Sequence, residues 1–249
     1  MADLTNHPDG SGREAEQPAG SGSEQSPGVV LFDIDGTLID TGGASDRAWH
    51  RAFLELHDVD VNVPDYTGKG VPDPAVGAAC FRGAIGRDPE PGELAALMEL
   101  RGRYLAEEVE RSPGYRVMPG AFELLEALTA AGRLFGLITG NTEEAARIKL
   151  GRAGLDRFFA FGGYGSDANE RVDICRTALA RAEEANGGKL DREGSVALGD
   201  TPRDVEAAHG AGIRAIGVAT GEYGVDELRA AGADEAIATL ESAAPLLGL

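Results

Sequence analysis

Residues 29–41 read Val-Val-Leu-Phe-Asp-Ile-Asp-Gly-Thr-Leu-Ile-Asp-Thr, and no other stretch restricts the fold as much. Val29 to Phe32 form an uninterrupted apolar run, the pattern of a strand buried on both faces inside a parallel sheet. Asp33 and Asp35 follow where that strand ends, and the two-residue alternation points both carboxylates the same way. Gly36 lets the chain turn directly after them. Open α/β sheets gather their chemistry at the carboxyl ends of central strands. Taken alone, the stretch also reads as an Asp-Gly turn with no chemistry.

The remainder of the chain predicts the sheet that such a strand needs. Helices are expected from Ser45 or Asp46 to Leu56, with Trp49, Phe53 and Leu56 on one face, from Asp73 to Ile85, and from Pro91 to about Glu110. No strand pattern occurs between residues 42 and 115. A helical block of roughly 75 residues is far longer than a βα connection, so it reads as an inserted subdomain. Beyond it, strands at Leu134–Ile138, Phe158–Phe161, Val196–Leu198 and Ile213–Val218 alternate with helices at 121–131, 142–151, 172–185 and 203–209. A further helix is expected at Val225–Ala231 and a terminal one near Ser242. This order predicts an α/β, Rossmann-like, doubly wound parallel sheet with an inserted all-helical cap subdomain. Residues 29–41 and 116–249 would form the core, and 42–115 the cap.

Composition narrows the partners. Residues 1–28 are mostly Gly, Ser, Pro, Glu and Gln, which predicts a disordered N-terminal tail without the apolar segment of a signal peptide. The 249-residue chain carries a formal net charge of −19, which argues against nucleic acid or an anionic membrane surface. No apolar run reaches the roughly 20 residues of a membrane helix. Cys80 and Cys175 lie far apart and outside any metal-binding pattern, as expected of reduced, buried thiols in a cytoplasmic protein. A monomer or homodimer is expected.

Three further features fall at predicted strand ends. Thr139-Gly140-Asn141 offers a hydroxyl, a close backbone approach and free amides at a helix start, which suit a phosphate. Asn141 and Glu144 are equally spaced for a plain capping box. Gly199-Asp200-Thr201-Pro202-Arg203-Asp204 delivers Asp200 from a buried strand and Asp204 in the next helical turn. With Asp33 these could hold a hard cation such as Mg²⁺, although Asp204 also reads as a helix-dipole residue. A cation is needed beside so many acids. Arg171 stands in the right region; Lys149 reads as mid-helix surface and Lys189 as a loop charge.

In this order, Asp33-Ile-Asp35-Gly-Thr37, Thr139-Gly-Asn141, Arg171 and Gly199-Asp200-Thr-Pro-Arg-Asp204 resemble the haloacid dehalogenase superfamily. The resemblance covers roughly residues 28–249 and is nearest to phosphoglycolate-phosphatase-like members with a helical cap. It implies a nucleophile at Asp33 that forms a phospho-aspartyl intermediate. Asp35 would protonate the leaving oxygen and then deprotonate water, holding a proton at neutral pH through repulsion from its neighbouring carboxylate. Mg²⁺ would be held by Asp33, the main-chain carbonyl of Asp35 and Asp200, with Asp204 in support. Thr139, Gly140 and Asn141 would grip the phosphoryl group with Arg171, which stands where the family usually has lysine. Lys69 is the cap residue expected to touch substrate, with Arg82 behind it.

The second acid, Asp35, points to phosphoryl chemistry and away from carbon–halogen cleavage. The leading expectation is a Mg²⁺-dependent phosphatase of small phosphorylated metabolites. A phosphomutase of the β-phosphoglucomutase type, or a binding module on a phosphatase scaffold, are the alternatives.

Overall fold

The computed structural model describes Met1 and residues 28–249. All but the ends of the expected tail, residues 1–28, therefore lie outside the described residues.

Strand β1 (Val29–Phe32) is fully buried, and its alternation divides the core. Val30 and Phe32 join one apolar cluster, and Val29 and Leu31 the other, on the opposite face. Five more parallel strands complete the sheet: β4 (Leu134–Ile138), β5 (Gly162–Gly163), β6 (Val196–Gly199), β7 (Arg214–Val218) and β8 (Glu235–Ile237). Their order is β5-β4-β1-β6-β7-β8. β1 is hydrogen-bonded to β4 on one side and β6 on the other, so three strand ends open on one crevice. One face is covered by α4 (Ala121–Ala130), α5 (Glu143–Gly151) and the C-terminal turns. The other is covered by α6 (Arg171–Asn186) and α7 (Pro202–Gly210). α8 (Val225–Ala230) sits between β7 and β8 in the chain.

Between Asp40 and Arg116 the chain is helical: α1 (Ala44–His57), α2 (Asp73–Cys80), continued by a π-helical turn at Phe81–Ile85, and α3 (Pro91–Arg111). These helices build a core of their own around Trp49, Phe53, Phe81 and Leu97. Leu56, expected on the same stripe, is 40% exposed at the helix end. A two-stranded ladder, β2 (Ile39–Asp40) with β3 (Arg116–Val117), ties together the two points where the helical segment leaves and rejoins the sheet domain. Both connections are pressed together there: a Cβ on Gly42 would lie 2.4 Å from the Gly114 carbonyl carbon.

Two expected elements differ. The aromatic segment 158–161 is not a strand. Residues Asp156–Phe158 form a 3₁₀ turn, Phe158 and Phe159 pack edge-on against Phe122 and Phe32, and the strand is Gly162–Gly163. Glycine is required there because a Cβ on Gly163 would lie 2.1 Å from the Ile174 carbonyl oxygen of α6. The helix expected near Ser242 is two 3₁₀ turns, Leu240–Ser242 and Ala244–Leu247.

Candidate active site

Asp33 continues β1: its N–H donates to the Leu198 carbonyl at 2.9 Å, which fixes it beside the end of β6 and therefore beside Asp200. Gly36 makes the turn at φ 84°, and no other residue fits, since a Cβ would lie 2.3 Å from Asp200 Oδ2. A Cβ on Gly221, across the crevice, would also run into that carboxylate. Asp33, Asp200 and Asp204 are buried, and one carboxylate oxygen from each lies within 4.8 Å of the others. Arg171 Nη2 meets Asp33 Oδ1 at 2.8 Å, while Arg171 Nε donates to Asp204 Oδ1 at 2.8 Å. Arg171 Nη1 also donates to the Gly70 carbonyl of the helical segment at 3.3 Å.

Asp204 caps its helix, as the sequence allowed, and also pairs with Arg171. Its Oδ2 accepts from Thr201 N at 3.0 Å and Thr201 Oγ1 at 2.7 Å, closing a capping box on α7, while Oδ1 faces Arg171. Protein donors thus occupy both of its oxygens, which leaves Asp33 and Asp200 with the freer lone pairs. Burial, followed by repulsion from nearby carboxylates and against the pull of Arg171, pushes the Asp33 carboxyl well above its usual range. Burial, with Asp33 and then Asp204 adding to it, does the same to Asp200. One guanidinium is not enough positive charge for three buried carboxylates. That deficit and an all-oxygen donor set fit a small divalent cation such as Mg²⁺.

Asp35 lies in a different environment from the one expected. Lys149 is buried, with Nζ 2.7 and 2.9 Å from the Asp35 oxygens and 2.6 Å from Asn141 Oδ1. Asn141 Nδ2 donates to Asp35 Oδ2 at 2.7 Å and to Thr139 Oγ1 at 2.8 Å. Burial alone would raise the Asp35 pKa, but the Lys149 charge and the hydrogen bonds from Asn141 and Lys149 outweigh it and lower it. The expectation of a protonated Asp35 is therefore corrected to an ionised one, and that of a surface Lys149 to a buried one. The sequence held a usable signal: Lys149 follows Ala145 by four residues, on the stripe that buries Ala145, Ala146 and Leu150.

The Thr139–Asn141 loop is also not a plain cap. Thr142 caps α5, accepting from Ala145 N at 3.2 Å, so Asn141 is free to reach Asp35. Thr139 is fully buried at the cavity wall. Gly140 is approached closely by the helical segment: a Cβ would lie 2.9 Å from the Val71 carbonyl oxygen, and the Gly140 carbonyl accepts from Asp73 N at 2.7 Å. Asp73 Oδ2 also accepts from Thr142 N at 3.1 Å, and its carboxylate is gripped by Arg101 at 2.9 and 3.1 Å. Sequence reasoning missed this pair entirely. Lys69 lines the cavity but is 58% exposed in its side chain, 3.9 Å from Glu222. Arg82 is corrected to a surface residue, paired with Asp88 at 3.1 Å outside the cavity wall.

Asp33, Asp35, Thr139, Asn141, Lys149, Arg171 and Asp200 open on a cavity of about 370 Å³ between the strand ends and the helical segment. Among the described residues, no helix is long and apolar enough to cross a membrane.

Comparison with known proteins agrees with this architecture. Residues 27–212 match the model of the haloacid dehalogenase-like hydrolase family. A phosphoglycolate phosphatase from Agrobacterium fabrum is 30% identical over 197 residues, covering 78% of this chain and 81% of that one. A 5'-nucleotidase from Pseudomonas aeruginosa is 31% identical over 208 residues, with 81% and 86% covered. Among solved structures, CbbY from Rhodobacter sphaeroides in complex with phosphate superposes with a TM-score of 0.69 at 23% identity, covering 89% of this chain and 99% of that one. The chain belongs to the haloacid dehalogenase-like hydrolases.

Proposed function

We propose that this hydrolase is a Mg²⁺-dependent phosphatase of small phosphorylated metabolites, acting through a phospho-aspartyl intermediate on Asp33. The observation that carries this reading is the pairing, at one cavity, of Asp33 and Asp200, which line it and form a cation-deficient carboxylate cluster with Asp204 behind them, with a separately held carboxylate, Asp35. Named relatives that are phosphatases support it.

Asp33 and Asp200, with the Asp35 main-chain carbonyl and Asp204 behind them, would hold the metal. Bound there, Mg²⁺ would neutralise charge on the phosphoryl oxygens. Asp33 attacks phosphorus, forming the aspartyl–phosphate bond as the ester P–O bond breaks. Asp35 gives the departing alcohol a proton; an arriving phosphate, of like charge, favours that protonated form over the resting ionised one. Asp35 then takes a proton from water as the water oxygen bonds to phosphorus and Asp33 leaves. The Lys149 and Asn141 contacts suit this second half, because they favour the ionised base. The Thr139 hydroxyl, the Gly140–Asn141 amides and Arg171 position the phosphoryl group.

Residues 42–115 act in this reading as a cap over a core of 29–41 and 116–249, excluding bulk water from the site while admitting the one water that attacks the intermediate. The protein works in the cytoplasm, as a monomer or homodimer. The test is a phosphate-release screen over many phosphate esters, with Mg²⁺ and with a chelator. Metal-dependent release without an added sugar bisphosphate is expected; no release from any ester, or release only with the bisphosphate, would refute the phosphatase reading.

A further inference from the structure

We infer that the leaving group this site accepts is an uncharged alcohol bearing further hydroxyls, as in a sugar phosphate or a nucleoside monophosphate, and not a carboxylate-bearing one such as that of phosphoglycolate. The inference rests on the phosphatase reading and narrows it.

Space is the first argument. The cavity of about 370 Å³ has room for roughly twelve waters at about 30 Å³ each. A phosphate, a metal and the two-carbon acid of phosphoglycolate would leave much of that volume unfilled. An alcohol with a ring or a longer carbon chain would occupy it.

Charge is the second and stronger argument. A carboxylate in the leaving group is best received by a cation in the wall. Among the described residues, four lysines and arginines line the cavity, and each already has a carboxylate partner. Lys149 is held by Asp35, and Arg171 by Asp33 and Asp204. Arg116 meets Asp40, its partner across the β2–β3 ladder, at 2.6 Å. Lys69 is the loosest, 3.9 Å from Glu222, and an anion reaching it also meets that glutamate, which lines the same rim. Arg101, whose guanidinium lies over the Trp49 ring, has both terminal nitrogens on Asp73 or Ser45.

The acids are not balanced in the same way. Asp46, in the first turn of α1, lines the cavity, and among the described residues no lysine, arginine or histidine pairs with it. Beside it are Ser45, with a hydroxyl, and Trp49, with an apolar ring. An anionic leaving group would be repelled by the Asp46 carboxylate. A hydroxyl would donate to it, in the stronger class of hydrogen bond that an ionised acceptor makes. Trp49, Val63 and Val76 supply apolar wall for the carbon skeleton. The wall thus selects hydroxyl donors and rejects negative charge.

The test compares kcat/KM of the full chain with Mg²⁺ on ribose 5-phosphate, glucose 6-phosphate, adenosine monophosphate and phosphoglycolate, with p-nitrophenyl phosphate as a reference. At least one of the first three is expected to exceed phosphoglycolate by about tenfold or more, and the sugar and nucleotide arms separate the two sources. In Asp46→Asn, the ratio of phosphoglycolate to the preferred ester is expected to rise about threefold or more. Turnover of p-nitrophenyl phosphate with phosphoglycolate equal to or above every hydroxylated ester would overturn the inference alone, as would a ratio unmoved in a folded Asp46→Asn protein. Loss of all turnover, the reference ester included, would overturn the phosphatase reading and the inference with it.

Discussion

Asp33 and Asp35 are two residues apart and have opposite surroundings. Asp33 sits among carboxylates with one arginine, and Asp35 between a lysine and an amide. The separation of roles therefore depends on Lys149 as much as on the acids. Lys149→Met would leave Asp35 with Asn141 alone and lose the orientation that the ammonium imposes. The expected result is a fall in kcat of about 10- to 100-fold with little change in KM, because in the proposed mechanism Asp35 acts on protons and not on substrate binding. Steady-state kinetics check it; a kcat within about twofold of the parent would count against the role. Lys149 also marks where the sequence stopped being legible. The acids announce themselves by standing at the ends of apolar strands, whereas a lysine amid Arg147, Ile148 and Leu150 gives no sign of which face its helix turns inward. Only the four-residue step from Ala145 tells.

At the scale of elements, the long strands and helices were readable because their apolar periodicity is strong. β4 and the helix limits of α3 follow the pattern almost to the residue. Unreadable were the pieces set by neighbours: β5 is two glycines admitted by the close approach of α6, and β8 is a short edge strand. The contact between the helical segment and the loop of residues 139–142 is of that kind too. Asp73 joins Arg101 within the helices to Gly140 and Thr142 on the loop, and its pair with Arg101 is almost wholly buried, at 9% and 1% side-chain exposure. Removing one member leaves an uncompensated buried charge. Arg101→Met is expected to destabilise the protein by about 3–5 kcal/mol, measured by denaturant unfolding. Asp73→Asn, which keeps the shape and both neighbours' contacts in part, should cost less and raise KM. A neutral Arg101→Met would show that the pair does not hold these elements together.

At the scale of the whole molecule, the net charge of −19 sets a field against any phosphate ester, and the site answers it locally. Screening limits the opposing field to about 8–10 Å, within which Arg171 and the proposed metal would act. The same surplus of acid has a consequence for stability. Asp33 and Asp200 keep their protons to higher pH when folded than when unfolded, because burial opposes their ionisation. Above about pH 4 the folded state binds more protons than the unfolded one at these groups, so their contribution to metal-free stability falls as pH rises. In the proposed reading, Mg²⁺ binding would displace those protons and relieve the repulsion. The increment in Tm on adding Mg²⁺ is therefore expected to be larger at about pH 8 than at about pH 5.5. An equal or smaller increment at the higher pH would contradict the cation-deficient cluster.

The central claim is that Asp33 carries the phosphoryl group. Intact-mass measurement of the protein after mixing with Mg²⁺ and a good phosphate ester tests it most directly, using the parent chain, Asp35→Asn and Asp33→Asn. In Asp35→Asn, Asp33 can still attack an ester with a good leaving group, but no base activates the water that releases the phosphoryl group. That variant is expected to gain the mass of one phosphoryl group, mapped to Asp33, while folded Asp33→Asn gains none and turns over no substrate. A folded Asp33→Asn protein that still releases phosphate, or a phosphoryl group found on any other residue, would contradict the account.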